Sequence, residues 1–93
     1  MSGPRFPLGH VVATPAALDA IQSAGDDVMA YLLKHLTLDP GDLDAADIKE
    51  NQLSLERGFR ILSAYTLSDG KTRIWIITEA DRSSTTILLP EEY

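Results

Sequence analysis

The chain has 93 residues, with eight Lys and Arg against 14 Asp and Glu for a formal net charge of −6, and 44% of it is hydrophobic. That length gives one small domain with a thin core, and the composition is globular rather than disordered. With no cysteine, disulfide staples, thiolate metal sites and a thiol nucleophile are all excluded. No apolar run approaches the ~20 residues that span a bilayer. Met1 to Arg5 leads into no apolar stretch of signal-peptide length, so a cytoplasmic protein is expected.

Residues 1–9, with Gly3, Pro4, Pro7 and Gly9, read as an irregular arm. Leu8 to Ala13 contains the β-branched pair Val11-Val12 and reads as a short strand. Thr14-Pro15 is a helix start: the hydroxyl caps free N–H groups and the proline is pre-set for the first helical position. Ala17, Leu18, Ile21 and Ala24 follow at helical spacing, and Gly25 stops the helix. Asp26 and Asp27 cap a second helix, whose Val28, Met29, Leu32, Leu33 and Leu36 form the predicted core stripe. Leu38-Asp39-Pro40-Gly41 breaks the chain. Asp44 caps a third helix running to about Glu56, with Asp47 and Glu50 near its positive end, and Gly58 ends it.

From Phe59 the apolar period changes from helix to strand. Phe59 to Leu67 and Arg73 to Thr78 flank an Asp69-Gly70 hairpin turn, and Thr85 to Leu89 follows, stopped by Pro90. The predicted fold is α+β: three N-terminal helices, then a three-stranded antiparallel β-meander, with an optional short N-terminal strand. It is a single domain over 1–93, with the arm at 1–9, helices over 14–57 and antiparallel sheet over 59–89. A two-residue Asp69-Gly70 loop sets Ser68 against Lys71. Tyr65 then faces Ile74, Ser63 faces Ile76, and Ile61 faces Thr78. Thr66–Arg73, Ala64–Trp75, Leu62–Ile77 and the opposite charges Arg60–Glu79 alternate with them. Both faces of this hairpin are apolar. Leu62, Trp75 and Ile77 therefore form a candidate contact surface for a partner protein or a second copy of the chain.

Residues 1–50 carry a net −5 and residues 51–93 a net −1, so the acidity sits on the helical half. An acidic chain disfavours direct nucleic-acid binding. Asp39, Asp42, Asp44, Asp47 and Glu50, joined by Asp26 and Asp27, form a candidate acidic surface. Solvated caps are one reading of it; a nucleic-acid mimic occupying the basic cleft of a restriction or CRISPR defence enzyme is another. A calcium loop starting at Asp39 fails, because Gly41 and Leu43 offer no side-chain oxygen and Asp44 sits where glycine is needed. His10 and His35 are isolated, so no metal site, cofactor or small-molecule ligand is assigned. No serine elbow, phosphate-binding loop or dinucleotide fingerprint occurs, and no catalytic residue is assigned. A RelE-like or barnase-like ribonuclease shares the helices-then-meander order. Its pool of groups would be Arg57, Arg60, Lys71, Arg73, Arg82, Tyr65 and the two histidines. The turn Glu79, Asp81, Arg82 and Ser83 is a candidate polar rim, or a turn tied by its own side chains.

Two stretches open a resemblance: Leu8-Gly9-His10-Val11-Val12-Ala13-Thr14-Pro15, and Glu50-Asn51 through Gly58-Phe59-Arg60. Leu62-Ser63-Ala64-Tyr65, Ile74 to Ser83 and Thr86 to Tyr93 extend it over nearly the whole chain. In these residues the chain resembles a family of small uncharacterised bacterial proteins, labelled plasmid-related and encoded on plasmids and mobile elements. The resemblance implies a mobile-element setting and supplies no catalytic residues. Such proteins commonly show an aromatic after the mid-chain Asp, where this chain has Pro40. A methyltransferase is excluded by length and by the lack of an Asn/Asp-Pro-Pro-aromatic motif. The expected function is a non-enzymatic protein-interaction or regulatory module, with the ribonuclease toxin and the acidic mimic as alternatives.

Overall fold

Capping chemistry opens each helix where the sequence places it. In a computed structural model, which describes residues 4–93, the Thr14, Asp27 and Asp44 side chains accept from the N–H groups of Ala17, Met29 and Asp47. They start α1 (Pro15–Ser23), α2 (Val28–Leu36) and α3 (Ala45–Arg57). Gly58 closes α3 in the left-handed region at φ 76°. The strands are β1 (His10–Ala13), β2 (Ile61–Thr66), β3 (Arg73–Thr78) and β4 (Ser84–Leu88), followed by a short 3-10 turn at Pro90–Glu92. Met1–Gly3 of the expected arm lie outside the described residues, and 4–9 carry no helix or strand. No helix among the described residues is long and apolar enough to cross a membrane.

The sheet corrects the predicted meander. It has four strands in the order β1-β4-β3-β2, and β1 runs parallel to β4. The architecture is α+β with a mixed sheet, not a three-stranded antiparallel one. Val11-Val12 marks a strand locally, but its partner is the last strand of the chain, more than 70 residues away, and no local period encodes that. Gly9 makes the approach possible: at φ 66° it brings the arm against the Arg82 and Ser83 carbonyls, where no Cβ fits. The Thr85 hydroxyl then donates to the Leu8 carbonyl at 2.7 Å.

The β2–β3 register is the expected one from Ile61↔Thr78 to Thr66↔Arg73. The loop is wider than two residues. Leu67 N donates to the Thr72 carbonyl, and Asp69 accepts from the Lys71 and Thr72 amides and the Thr72 hydroxyl. These bonds, the Thr72 hydroxyl foremost, hold the Asp69 carboxyl down at about 2. The pairing parity is unchanged, so every side chain keeps its face.

One face, with Tyr65, Ile74, Ile76 and Ile87, packs under Ala17 and Ile21 of α1 and Tyr31 and Leu32 of α2. The α2 stripe is rotated from the predicted one. Tyr31, Leu32 and His35 are buried, whereas Met29 and Leu33 are more than half exposed. Polar anchors turn the helix: the Tyr31 hydroxyl donates to Asp26 at 2.6 Å, and the same carboxylate oxygen accepts Ser68 N at 2.8 Å.

The β2 edge is closed from within the chain. Asn51 of α3 donates to the Leu62 carbonyl and accepts from Leu62 N, acting as a one-residue strand. Asp42 N donates to the Ala64 carbonyl, beside a parallel bridge between Gly41 and Ala64. Gly41 sits at φ 57° with its α-carbon against the Ala64 carbonyl and the Tyr65 ring. Gly41→Ala combines left-handed strain with a clash and should lower stability by about 3 kcal/mol. Gly58→Ala, with open space around it, should lower it by only about 1 kcal/mol. Urea midpoints of the two variants read the difference.

Candidate functional site

The outer face of the sheet carries Leu62, Trp75 and Ile77, and the structure separates them. Ile77 is buried at 5% exposure, while Leu62 and Trp75 are half-buried. Neighbouring strands shield Ile77, and the C-terminal turn brings Tyr93 against Trp75, edge to face at 5.5 Å. That turn is pinned by Glu92, which accepts from Leu89 N and from the Thr14 hydroxyl at 2.8 and 2.7 Å. Both bonds favour the ionised form, so the Glu92 carboxyl lies below its ordinary range.

Beside this cover lies a groove of about 320 Å³ between α3 and the start of β2, lined by Asp47, Glu50, Asn51, Ser54, Phe59, Arg60 and Leu62. Phe59 and Arg60 stand on its rim, and Tyr93 lies next to Arg60. Phe59 is 50% exposed, Tyr93 is 65% exposed, and the Arg60 guanidinium lies over the Tyr93 ring at 5.5 Å. Asp47 and Glu50 face the same space from α3. The volume is at the bottom of the range for small-molecule sites and admits one or two side chains. Sequence reasoning missed Phe59 and Tyr93 as site residues; a large aromatic just after the helix-ending Gly58 was the available signal.

The interior holds a polar chain that the sequence reading also missed. His35 is fully buried, with Nδ1 2.6 Å from the Ser63 hydroxyl and Nε2 2.8 Å from the Thr78 hydroxyl. Thr78 in turn meets the Thr85 hydroxyl at 2.7 Å. The proton order follows from one fixed end. Leu8's carbonyl can only accept, so Thr85 donates to it. Thr78 must then donate to Thr85, His35 Nε2–H to Thr78, and Ser63 to the bare Nδ1. Burial pushes the His35 pKa down to about 4, so the ring is neutral. Phe6 seals the site with its ring edge-on to the imidazole at 5.2 Å. A hydroxyl on an imidazole has the parts of a nucleophile and base, but Ser63 is 1% exposed and no substrate reaches it.

The other candidates are dispersed. Arg82, in the left-handed region at φ 61°, turns inward and donates to the carbonyls of Phe59, Glu79, Ala80 and Ser54. It ties the end of α3 and the start of β2 to the β3–β4 turn. Asp81 accepts from Ser83 N and Arg82 N donates to the Glu79 carbonyl, so Glu79, Asp81, Arg82 and Ser83 form a self-tied turn, not an open rim. Of the ribonuclease pool, His35 and Tyr65 are buried, His10 lies on one sheet edge, and Arg57 and Arg60 flank the other. Among the acids, Asp39 accepts from Gly41 N, Asp42 from the Thr66 hydroxyl and Asp44 from Asp47 N; only Asp47 and Glu50 line the groove. Asp27 caps α2 and Asp26 joins Tyr31 to Ser68. Among the described residues no group of three or more His, Asp and Glu side chains gathers as a metal ligand set. Comparison with protein-family models, curated proteins and solved structures finds no match to this chain.

Proposed function

We propose that the chain is a non-enzymatic protein-interaction module with an accessory or regulatory role. Its partner is a protein segment that brings a Lys or Arg next to an apolar side chain. The observation that carries this reading is the exposed Phe59, beside Arg60, in a groove walled by Asp47 and Glu50, with the Arg60 guanidinium over the neighbouring Tyr93 ring. Aromatic and arginine side chains dominate the energetics of protein interfaces, because they bury large area at low entropic cost. The two carboxylates and the net charge of −6 favour a basic partner. The imidazole, the buried tyrosines and Arg82 are engaged within the fold, which supports recognition over catalysis.

The test is a photo-cross-linker in place of Phe59, with the same group at exposed Gln22 on α1 as control, expressed in the native host. One protein species captured at position 59 and absent at position 22 supports the proposal. Equal capture at both positions contradicts it, as does growth arrest that depends on Arg60 or Arg73 without any captured protein.

A further inference from the structure

We infer that the β1 edge is a self-association site, where a second copy of the chain adds its own β1 antiparallel about a two-fold axis. The two edges of this sheet are treated oppositely. Asn51, Gly41 and Asp42 close the β2 edge, whereas β1 pairs only with β4 among the described residues. Proteins blunt an open edge with charge, proline or a bulge. β1 has none of these: it reads His-Val-Val-Ala, with Val11 and Val12 exposed at 41% and 42% on opposite faces.

Charge selects the second copy as occupant. A chain of net −6 repels itself least along a stretch with few charges, and Phe6 to Leu18 contains no Asp, Glu, Lys or Arg, with the Glu92 carboxylate meeting it at Thr14, past the end of β1. It is the longest such run in the sequence, and β1 lies at its centre. The backbone geometry is self-complementary as well. His10 N donates to the Ser83 carbonyl and Thr14 N to the Ile87 carbonyl, so by alternation Val11 and Ala13 aim their N–H and C=O groups outward. Two-fold pairing of Val11 with Ala13 of the second copy satisfies all four groups on each chain. It places the two Val12 residues opposite one another as a non-hydrogen-bonded pair. Four residues of edge are much less than a standard interface, so the dimer forms at high protein concentration.

The absence of cysteine makes the register directly testable. Non-hydrogen-bonded pairs bring α-carbons to about 4.5 Å, within disulfide range. Under mild oxidation Val12→Cys should form its symmetric disulfide about tenfold faster than Val11→Cys or the control Gln22→Cys. Sedimentation equilibrium of the wild type should show a dimer fraction that grows with concentration. Val11→Pro removes only an outward N–H and leaves the β1–β4 bonds in place, so it should abolish the dimer. A wild type that stays strictly monomeric at about 1 mM overturns the inference. Equal cross-linking at positions 11, 12 and 22 overturns it too.

Discussion

Replacing His35 with leucine should destabilise the fold by about 3 kcal/mol, although leucine is apolar and close in size. The loss comes from the partners. The Ser63 hydroxyl loses its acceptor and Thr78 its donor, both at buried positions where no water replaces them. Adding Ser63→Ala and Thr78→Val to His35→Leu removes the two orphaned hydroxyls, leaves Thr85 donating to the Leu8 carbonyl, and should recover much of the loss. Non-additivity of this kind, read by urea denaturation, distinguishes a coupled polar chain from three separate contacts. The same residue gives the fold an acid sensitivity. His35 has a pKa of about 4 when folded against 6.5 when exposed, so between those values the unfolded chain binds the proton first. Stability is complete above pH 6.5, falls as the pH drops toward 4, and the total loss is about 3 kcal/mol. Asp26, Asp69, Asp81 and Glu92, whose folded pKa values are lowered, lose their contributions only below their ordinary carboxylate range, under most of that window. Denaturation midpoints between pH 7 and 5 should therefore slope for the wild type and flatten for His35→Leu.

The second large effect is expected at Asn51. Its amide satisfies both edge groups of Leu62, so Asn51→Ala strands an N–H and a carbonyl and should cost about 2–3 kcal/mol. Asn51→Asp keeps the acceptor for Leu62 N but sets a carboxylate oxygen against the Leu62 carbonyl, and it should be at least as damaging at neutral pH. Both variants reopen the β2 edge, so aggregation should accompany the lost stability. Light scattering alongside the urea titration measures the two consequences together.

Local chemistry is where the sequence was readable. Thr14, Asp27, Asp44 and Gly58 bound their helices through interactions spanning a few residues, and alternation across Asp69-Gly70 carried the whole β2–β3 register. The β1–β4 pairing was not readable, because a strand's neighbour is chosen by how the finished layers cover one another. His35 escaped for a related reason. The helical stripe was assigned by hydrophobicity, which favoured Met29 and Leu33. Hydrogen bonds to Asp26, Ser63 and Thr78 turned Tyr31 and His35 inward instead. A signal was present: Ser63, Thr78 and Thr85 are hydroxyls on a face otherwise filled by isoleucine and tyrosine, and such a face needs a buried polar partner. The rim of the groove was half readable. Arg60 and Leu62 were placed on the outer face by register, whereas Tyr93 meets Trp75 and Arg60 after a turn whose Glu92 accepts from Thr14 across the fold.

We propose recognition of a basic protein segment at the Phe59–Arg60 rim, beside Asp47 and Glu50. It is tested by photo-cross-linking from position 59 in the native host, in the wild-type background and with Glu50→Lys, which reverses one wall of the groove. Glu50 is exposed on α3, where a substitution shifts stability by only about 0.5 kcal/mol, so the variant should keep a thermal midpoint close to that of the wild type. One captured protein species that is lost with Glu50→Lys while the midpoint holds is the expected result. Capture that is indifferent to the charge reversal, or no capture above the position 22 control, overturns it.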